Sequence, residues 1–278
     1  MVVYSFKGER LAEHSYLVLR LYSKTFGSKH ERLIARRLNV NQEFISVTMR
    51  AACLLHDVGK ALSTFQDNVE RGSRFPFHEV VSAHLTYVTL RRVLSEAGPI
   101  INRQLSFAGA YAVLQHHQAM RGIREVLERG ITLLSTKYTL HESLVDEMEL
   151  VAKMGTCSFE ASPIIDTFKQ VVEEISKSVL GVKLKEFIGN FTETMTGHYP
   201  KDVRRDRISE WAVSWGKLQP ALPLFTAPLQ LSDYLAAFII RGGRMRALHK
   251  EMLLLLGKDS SKLPNIAQRT GIHGFHVQ

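Results

Sequence analysis

The 278-residue chain carries only two cysteines, Cys53 and Cys157, and neither belongs to a CxxC pair. A zinc site built on paired thiolates is therefore not indicated, and neither is a disulfide scaffold. Both thiols read as buried side chains, with no demand for an oxidising compartment. Long hydrophobic runs are missing too. A spanning helix needs about 20 apolar residues, and MLLLLG at Met252–Gly257 is far shorter. The stretch MVVYSFKGERLAEHSY lacks the apolar core of a signal peptide, so a cytoplasmic protein without a membrane segment is expected. There is no useful period-two alternation and no Asn-Gly turn, which argues against a sheet. No repeat at a fixed period is evident.

What remains is an ordinary globular composition with helical periodicity. Hydrophobic residues make up 45% and charged residues 23%, enough for one large domain with a substantial core. The net charge of +9 suits a polyanionic partner such as nucleic acid, although a merely basic surface would look the same. LAEHSYLVLRLYSKTFG places Leu11, Leu17, Val18, Leu21 and Tyr22 on one helical stripe ending near Gly27. Asn41 is the expected N-cap of the next helix and Gly59 its stop. Pro76 is expected in the first turn of a helix running to Gly98, and IINRQLSFAGAYAVLQHH follows as another. Helical patterns also cover 121–134, 139–153, 161–179, 183–196, 203–217, 229–241 and 243–256. LQPALPLFTAPLQ (Leu218–Gln230) holds three of the eight prolines and is expected to be a loop or extended crossing. The fold class is all-α: a compact multi-helix bundle forming one domain over 1–256, followed by a basic tail over 257–278.

Polar residues interrupt this apolar pattern at particular places. LLHDVGKA (Leu54–Ala61) runs two leucines straight into His56-Asp57, with Lys60 three residues on. Buried polar side chains need partners. His14 lies on the first helix, His78 opens the helix after Pro76, His116-His117 close the next, and Asp233 lies in LSDYLAAFII. Each has a structural alternative, as a helix cap or as a charge favoured by the helix dipole. Together they are five histidines and two aspartates on separate predicted helices. Imidazole and carboxylate suit borderline divalent metals, and this number of ligands matches two ions sharing a carboxylate. Such pairs, spaced roughly 3.5–4 Å, activate water for in-line displacement at phosphorus. His84 lies six residues from His78, about 240° round a helix, and is left out of the set. Trp211 and Trp215, four apart, read as core.

The ordered set of His14, HDVGK, HEVVSAH, QHHQ and SDYLAA resembles the HD superfamily of metal-dependent phosphohydrolases. Within it the chain is most similar to the HD nuclease of type I CRISPR interference. With no G-x-x-x-x-G-K-[ST] loop, and no room for a helicase, it resembles the stand-alone form found in archaeal type I-A systems. The resemblance covers about 8–118 and 228–240; the region 120–227 carries no motif of it.

The resemblance implies that His14, His56, Asp57 and Asp233 hold one metal. Asp57 bridges to a second, completed by His78, His116 and His117. The ions would be Mn, Ni, Co, Fe or Mg. Lys60 would offset charge developing on the phosphate; without a metal it is a solvated lysine past a helix end. Ser82, one turn after His78, would support the site from behind or simply ease helix packing. The implied activity is hydrolysis of single-stranded DNA, endonucleolytic or 3′-to-5′ exonucleolytic, with a separate helicase subunit and a crRNA-guided effector complex as partners. Arg241, Arg244 and Arg246, close after the Asp233 helix, are candidate DNA contacts, as are the clusters at Arg91-Arg92 and Arg204–Arg207. The alternatives are a nucleotide phosphohydrolase acting on deoxynucleoside triphosphates or cyclic dinucleotides, and a non-catalytic subunit with a structural metal.

Overall fold

A computed structural model describes residues 2–69, 75–117, 125–128, 139–154, 158–176, 180–196, 198 and 205–241. Cys157, Arg244, Arg246, the expected helix at 243–256 and the tail at 257–278 lie outside these. A short antiparallel hairpin comes first, β1 (Tyr4–Phe6) and β2 (Glu9–Arg10), turning at Gly8 with φ +73°. The remaining named elements among the described residues are helical. They are α1 (Leu11–Thr25), α2 (Gly27–Leu38), α3 (Gln42–Leu55), the short α4 (Ser63–Gln66), α5 (His78–Val93) and α6 (Pro99–Gln115). Then come α7 (Leu144–Lys153), α8 (Ser158–Ser176), α9 (Leu180–Met195), α10 (Ile208–Leu218) and α11 (Leu222–Arg241). The all-α expectation holds apart from the hairpin, whose two- and three-residue strands are too short to show alternation.

Local signals explain most boundaries. Asn41 caps α3 by accepting the Glu43 N–H at 2.9 Å. Asn39 ends α2 in the left-handed region, φ +58°. Helix α1 has no side-chain cap of its own. The buried Glu147 carboxylate of α7 supplies one, accepting the Val3 and Ala12 N–H groups at 3.4 Å and pairing with Arg10 at 2.9 Å. Pro76 stands before α5 rather than in its first turn, because the left-handed Phe77 (φ +60°) intervenes.

One expectation fails. The proline-rich stretch is not a loop: Pro223 and Pro228 both lie within α11. Pro223 falls in the first turn, where no N–H is required. Pro228 removes the N–H that would pair with Leu224, and His30 of α2 replaces it, its Nε2 2.7 Å from the Leu224 carbonyl oxygen. His30, which fits no motif, thus has a structural task.

Helices α5 and α6 pack extensively on each other and are buried on most faces. α3 packs against both, α1 lies on α3, and α11 is seated against α1 and α6. Phe107 of α6 sits between Phe191 and Trp215 at centroid distances of 4.5 and 5.2 Å, with Trp211 stacked on Trp215. Both tryptophans are core, and burying each such aromatic contributes about 1.5–3 kcal/mol. The stretch Ile208–Arg241 is long and apolar enough to cross a membrane by length and composition, but half of it is buried in the bundle. It therefore serves as a core helix pair here.

Candidate metal centre

Five helices deliver polar side chains to one buried place where α1, α3, α5, α6 and α11 meet. α3 ends at Leu55, two turns' worth of apolar residues having carried the chain inward, and His56 and Asp57 emerge at its C-terminus. A 3-10 turn (Val58–Ala61) follows. It lies so close to the start of α5 that a Cβ on Gly59 would stand 2.1 Å from the His78 carbonyl oxygen. The Gly59 N–H donates to Ser82 Oγ at 2.8 Å. Ser82 therefore fixes the Asp57–Lys60 turn onto α5 and touches none of the cluster's imidazoles or carboxylates in doing so. His78 is the first residue of α5, His116 and His117 follow the last turn of α6, and Asp233 projects from the body of α11. Gln230, one turn before Asp233, donates to the Gln115 carbonyl at 2.8 Å and ties α11 to the end of α6.

The imidazoles share one device. His56 Nδ1 lies 2.9 Å from the Cys53 carbonyl oxygen, His78 Nδ1 2.6 Å from that of Phe75, and His116 Nδ1 2.5 Å from that of Val113. Each ring nitrogen meets the carbonyl three residues earlier, so each must carry its proton on Nδ1. That leaves three Nε2 lone pairs facing inward. His14 Nε2 joins them, 3.2 Å from His56 Nε2.

What these nitrogens face is carboxylate. Asp57 Oδ1 lies 3.0 Å from His78 Nε2 and 3.5 Å from His116 Nε2. Its Oδ2 lies 3.5 Å from His14 Nε2, 3.6 Å from His56 Nε2 and 2.6 Å from Lys60 Nζ. Asp233 Oδ1 is 3.0 Å from His14 Nε2 and 3.6 Å from His56 Nε2. Asp57 thus divides its two oxygens between two groups of histidines. His117, the most exposed member, lies tilted against His116 at 3.8 Å and edge-on to His78 at 5.2 Å. Donor atoms of Asp57, His78, His116 and His117 lie within 4.8 Å of one another, as do those of His14, His56 and Asp57, and those of His56, His116 and Asp233.

Burial and the carboxylates pull the cluster's protonation in opposite directions: against burial, Asp57 lifts His116 above its ordinary value. Burial alone would raise the Asp57 carboxyl, but Lys60 and His56 outweigh it and hold it well below its ordinary range. Asp233 is held down likewise by His14 and His56 against burial. Burial opposes charge on His14, yet Asp233 and Glu9 on either side lift its pKa to about 9. Burial pushes His56 down, and pushes His117 far down with His116 and His78 beside it. Inward lone pairs facing buried carboxylates, with the His116 Nε2 lacking a hydrogen-bond partner, are a donor set that needs a cation. The residues present fit divalent ions.

The structure brings together His14, His56, Asp57, His78, His116, His117 and Asp233, with Lys60 on Asp57 and Ser82 behind. Lys60 is buried, so it is not a solvated lysine. Arg241 points elsewhere: its Nε donates to Glu9 Oε2 at 2.5 Å, and its guanidinium lies over Phe6. His84 is on the far side of α5, beside Phe187. Sequence reasoning missed Glu9, whose Oε1 lies 2.5 Å from His14 Nδ1. Its only signal was a charged residue just after the Lys7-Gly8 turn.

The fold and cluster define an all-α protein with a buried histidine–aspartate cluster whose donor atoms could hold metal ions. No family model matches the chain, and no curated protein matches it. Among solved structures it is similar to the CRISPR-associated Cas3 HD domain protein from Methanocaldococcus jannaschii, with 23% identity over 69% of this chain and 97% of that one, at a TM-score of 0.42.

Proposed function

We propose that the protein is a metal-dependent HD-type nuclease that hydrolyses phosphodiester bonds of single-stranded DNA in CRISPR interference. In this reading a separate helicase subunit and the crRNA-guided effector complex deliver the strand. The observation that carries it is the sharing of the two Asp57 oxygens between two sets of histidines whose Nε2 atoms converge on them. The HDVGK and QHHQ motifs that supply these residues support the family reading.

His14, His56, Asp57 and Asp233 would hold one ion, and Asp57 with His78, His116 and His117 the other. Divalent ions there would supply hydroxide near neutral pH and stabilise charge on phosphorus. The chain's own residues then act by position. Asp57 sets the spacing of the two ligand groups. Lys60, already carrying its ammonium against Asp57, offers a cation within the site where negative charge grows on a phosphate oxygen. His117 is partly exposed, so the scissile phosphate approaches from its side. Ser82 and Gly59 keep the turn bearing Asp57 and Lys60 rigid.

Circular single-stranded DNA tests the reading, because it has no ends. Metal-stripped protein with Mn²⁺ or Ni²⁺ restored should linearise and fragment it, and Asp57→Ala should lower the rate by at least ~100-fold. Release of phosphate or tripolyphosphate from deoxynucleoside triphosphates, without DNA cleavage, would instead make it a nucleotide phosphohydrolase. Metal binding with neither activity would leave a structural role.

A further inference from the structure

Glu9 is 2% exposed, on a two-residue strand at the edge of the bundle, and its carboxylate is divided. Oε1 lies 2.5 Å from His14 Nδ1 and Oε2 lies 2.5 Å from Arg241 Nε. The His14 contact is a close charge pairing, since neither Glu9 Oε1 nor His14 Nδ1 has a hydrogen-bond partner. Two bare lone pairs would repel at that separation, so the nitrogen facing Glu9 is the one on which the ring carries its proton. His56, His78 and His116 all anchor Nδ1 on a carbonyl of their own helix end. His14 cannot, because it sits in the first turn of α1, near no exposed helix carbonyl. A carboxylate from outside the helix takes over. Arg241 closes the same helix, α11, that carries Asp233 two turns earlier. One carboxylate therefore joins the ring of His14 to the helix of Asp233, whose own Oδ1 lies 3.0 Å from His14 Nε2.

We propose that Glu9 is a positioning residue of the metal centre. It keeps the His14 proton on Nδ1 and Nε2 bare, and Arg241 holds Glu9 in the orientation that does so. Imidazole ligands backed by a carboxylate follow the same logic in metal sites generally, and loss of the backing group typically costs 10–100-fold in metal affinity. This rests on the reading of His14 as a ligand. Arg241, expected from the sequence to touch DNA, is assigned to this clamp.

The discriminating variant is Glu9→Gln. An amide has one acceptor oxygen for two donors, His14 Nδ1–H and Arg241 Nε–H. The charged guanidinium takes it, leaving the amide NH₂ against His14 and driving the ring to the wrong tautomer. Arg241→Met removes the competing donor and keeps an aliphatic stem over Phe6. Calorimetric Mn²⁺ titration of the metal-stripped full chain should show two ions in the wild type. Glu9→Gln should weaken one of them about 10–100-fold and leave the other unchanged. The double variant Glu9→Gln/Arg241→Met should bind more tightly than Glu9→Gln alone, which a purely structural role would not produce. His14→Ala is the reference and should lose the same ion. Should Glu9→Gln titrate like wild type while His14→Ala loses an ion, or should the double variant bind no better than the single, Glu9 has no positioning role. Should His14→Ala itself titrate like wild type, His14 is not a ligand, and the reading beneath the proposal falls with it.

Discussion

At the scale of single residues, the cluster depends on where protons sit. Backbone carbonyls of Cys53, Phe75 and Val113 fix three imidazoles in one tautomer, a role no sequence pattern announces, because it needs only the helix end the histidine already occupies. Gly59 is the other single-residue requirement. A Cβ there would meet backbone atoms at 2.1–3.0 Å, the His78 carbonyl oxygen and carbon and the Ser82 nitrogen. None of these can swing aside as a side chain could. Gly59→Ala should therefore cost about 3 kcal/mol, a fall in Tm on the order of 10 °C for a chain of this size. It should also reduce metal affinity by shifting Asp57. A melting temperature within 2–3 °C of wild type would show that α5 yields to the methyl group more easily than the geometry implies.

At the scale of elements, the site is a meeting of helix ends. His56, Asp57, His116 and His117 follow C-termini, where cationic ligands offset the helix dipole, and His78 opens an N-terminus. Those residues were legible in the sequence because each apolar run stops at a histidine, and the run itself announces burial. Asp233 was the weaker signal, a carboxylate in an apolar helical run that could equally be a charge favoured by the helix dipole, and the resemblance strengthened it. Glu147 was not legible, and Glu9 hardly so: the partners of Glu147 and the Arg241 partner of Glu9 lie on elements that only the tertiary fold brings near. The proline-rich crossing was misread for a related reason. Proline normally ends a helix because a carbonyl loses its donor, and here a histidine 194 residues away supplies one. His30→Ala should accordingly destabilise the protein by roughly 1–2 kcal/mol. In a Pro228→Ala background, which restores the helix's own N–H, that penalty should shrink towards zero. Additive losses in urea denaturation of the four proteins would refute the coupling.

At the scale of the whole molecule, part of the net charge of +9 is already neutralised by internal pairing. Of the clusters that looked suited to a nucleic-acid strand, Arg92 pairs with Glu174, Arg207 with Glu210, and Arg241 with Glu9. The first two are exposed pairs of small energetic weight, which a polyanion could replace. A cavity of about 310 Å³ opens between α5, α6, α8 and α9, lined by Phe107, Phe187, Phe191 and His84. Burial, reinforced by Lys183, pushes the His84 pKa down to about 4. Glu186 and the Arg92–Glu174 pair are the other charged groups at this cavity. In the unfolded chain the ring protonates below about 6.5, and in the folded protein it stays neutral until about 4. Stability from this residue is complete above pH 6.5 and is lost as pH falls towards 4, by up to roughly 3 kcal/mol. His84→Phe should remove that part of the slope. Unfolding free energies of the metal-free proteins between pH 7 and 4 would reveal it as a difference that grows on acidification, and a constant difference would contradict the assignment.

The position of Asp233 also has a consequence in time. Every other member of the cluster lies in the first 117 residues, while Asp233 arrives on the helix Leu222–Arg241. At about 5–20 residues per second, a ribosome that has made His117 needs roughly 6–23 s more to reach it. During that interval the growing chain holds an open half-built cluster, able to catch an ion through its histidines but without the carboxylate and the Arg241–Glu9 clamp that complete it. The seven-residue cluster is thereby complete only once the helix Leu222–Arg241 has docked, which makes its closure a late step of folding rather than an early one.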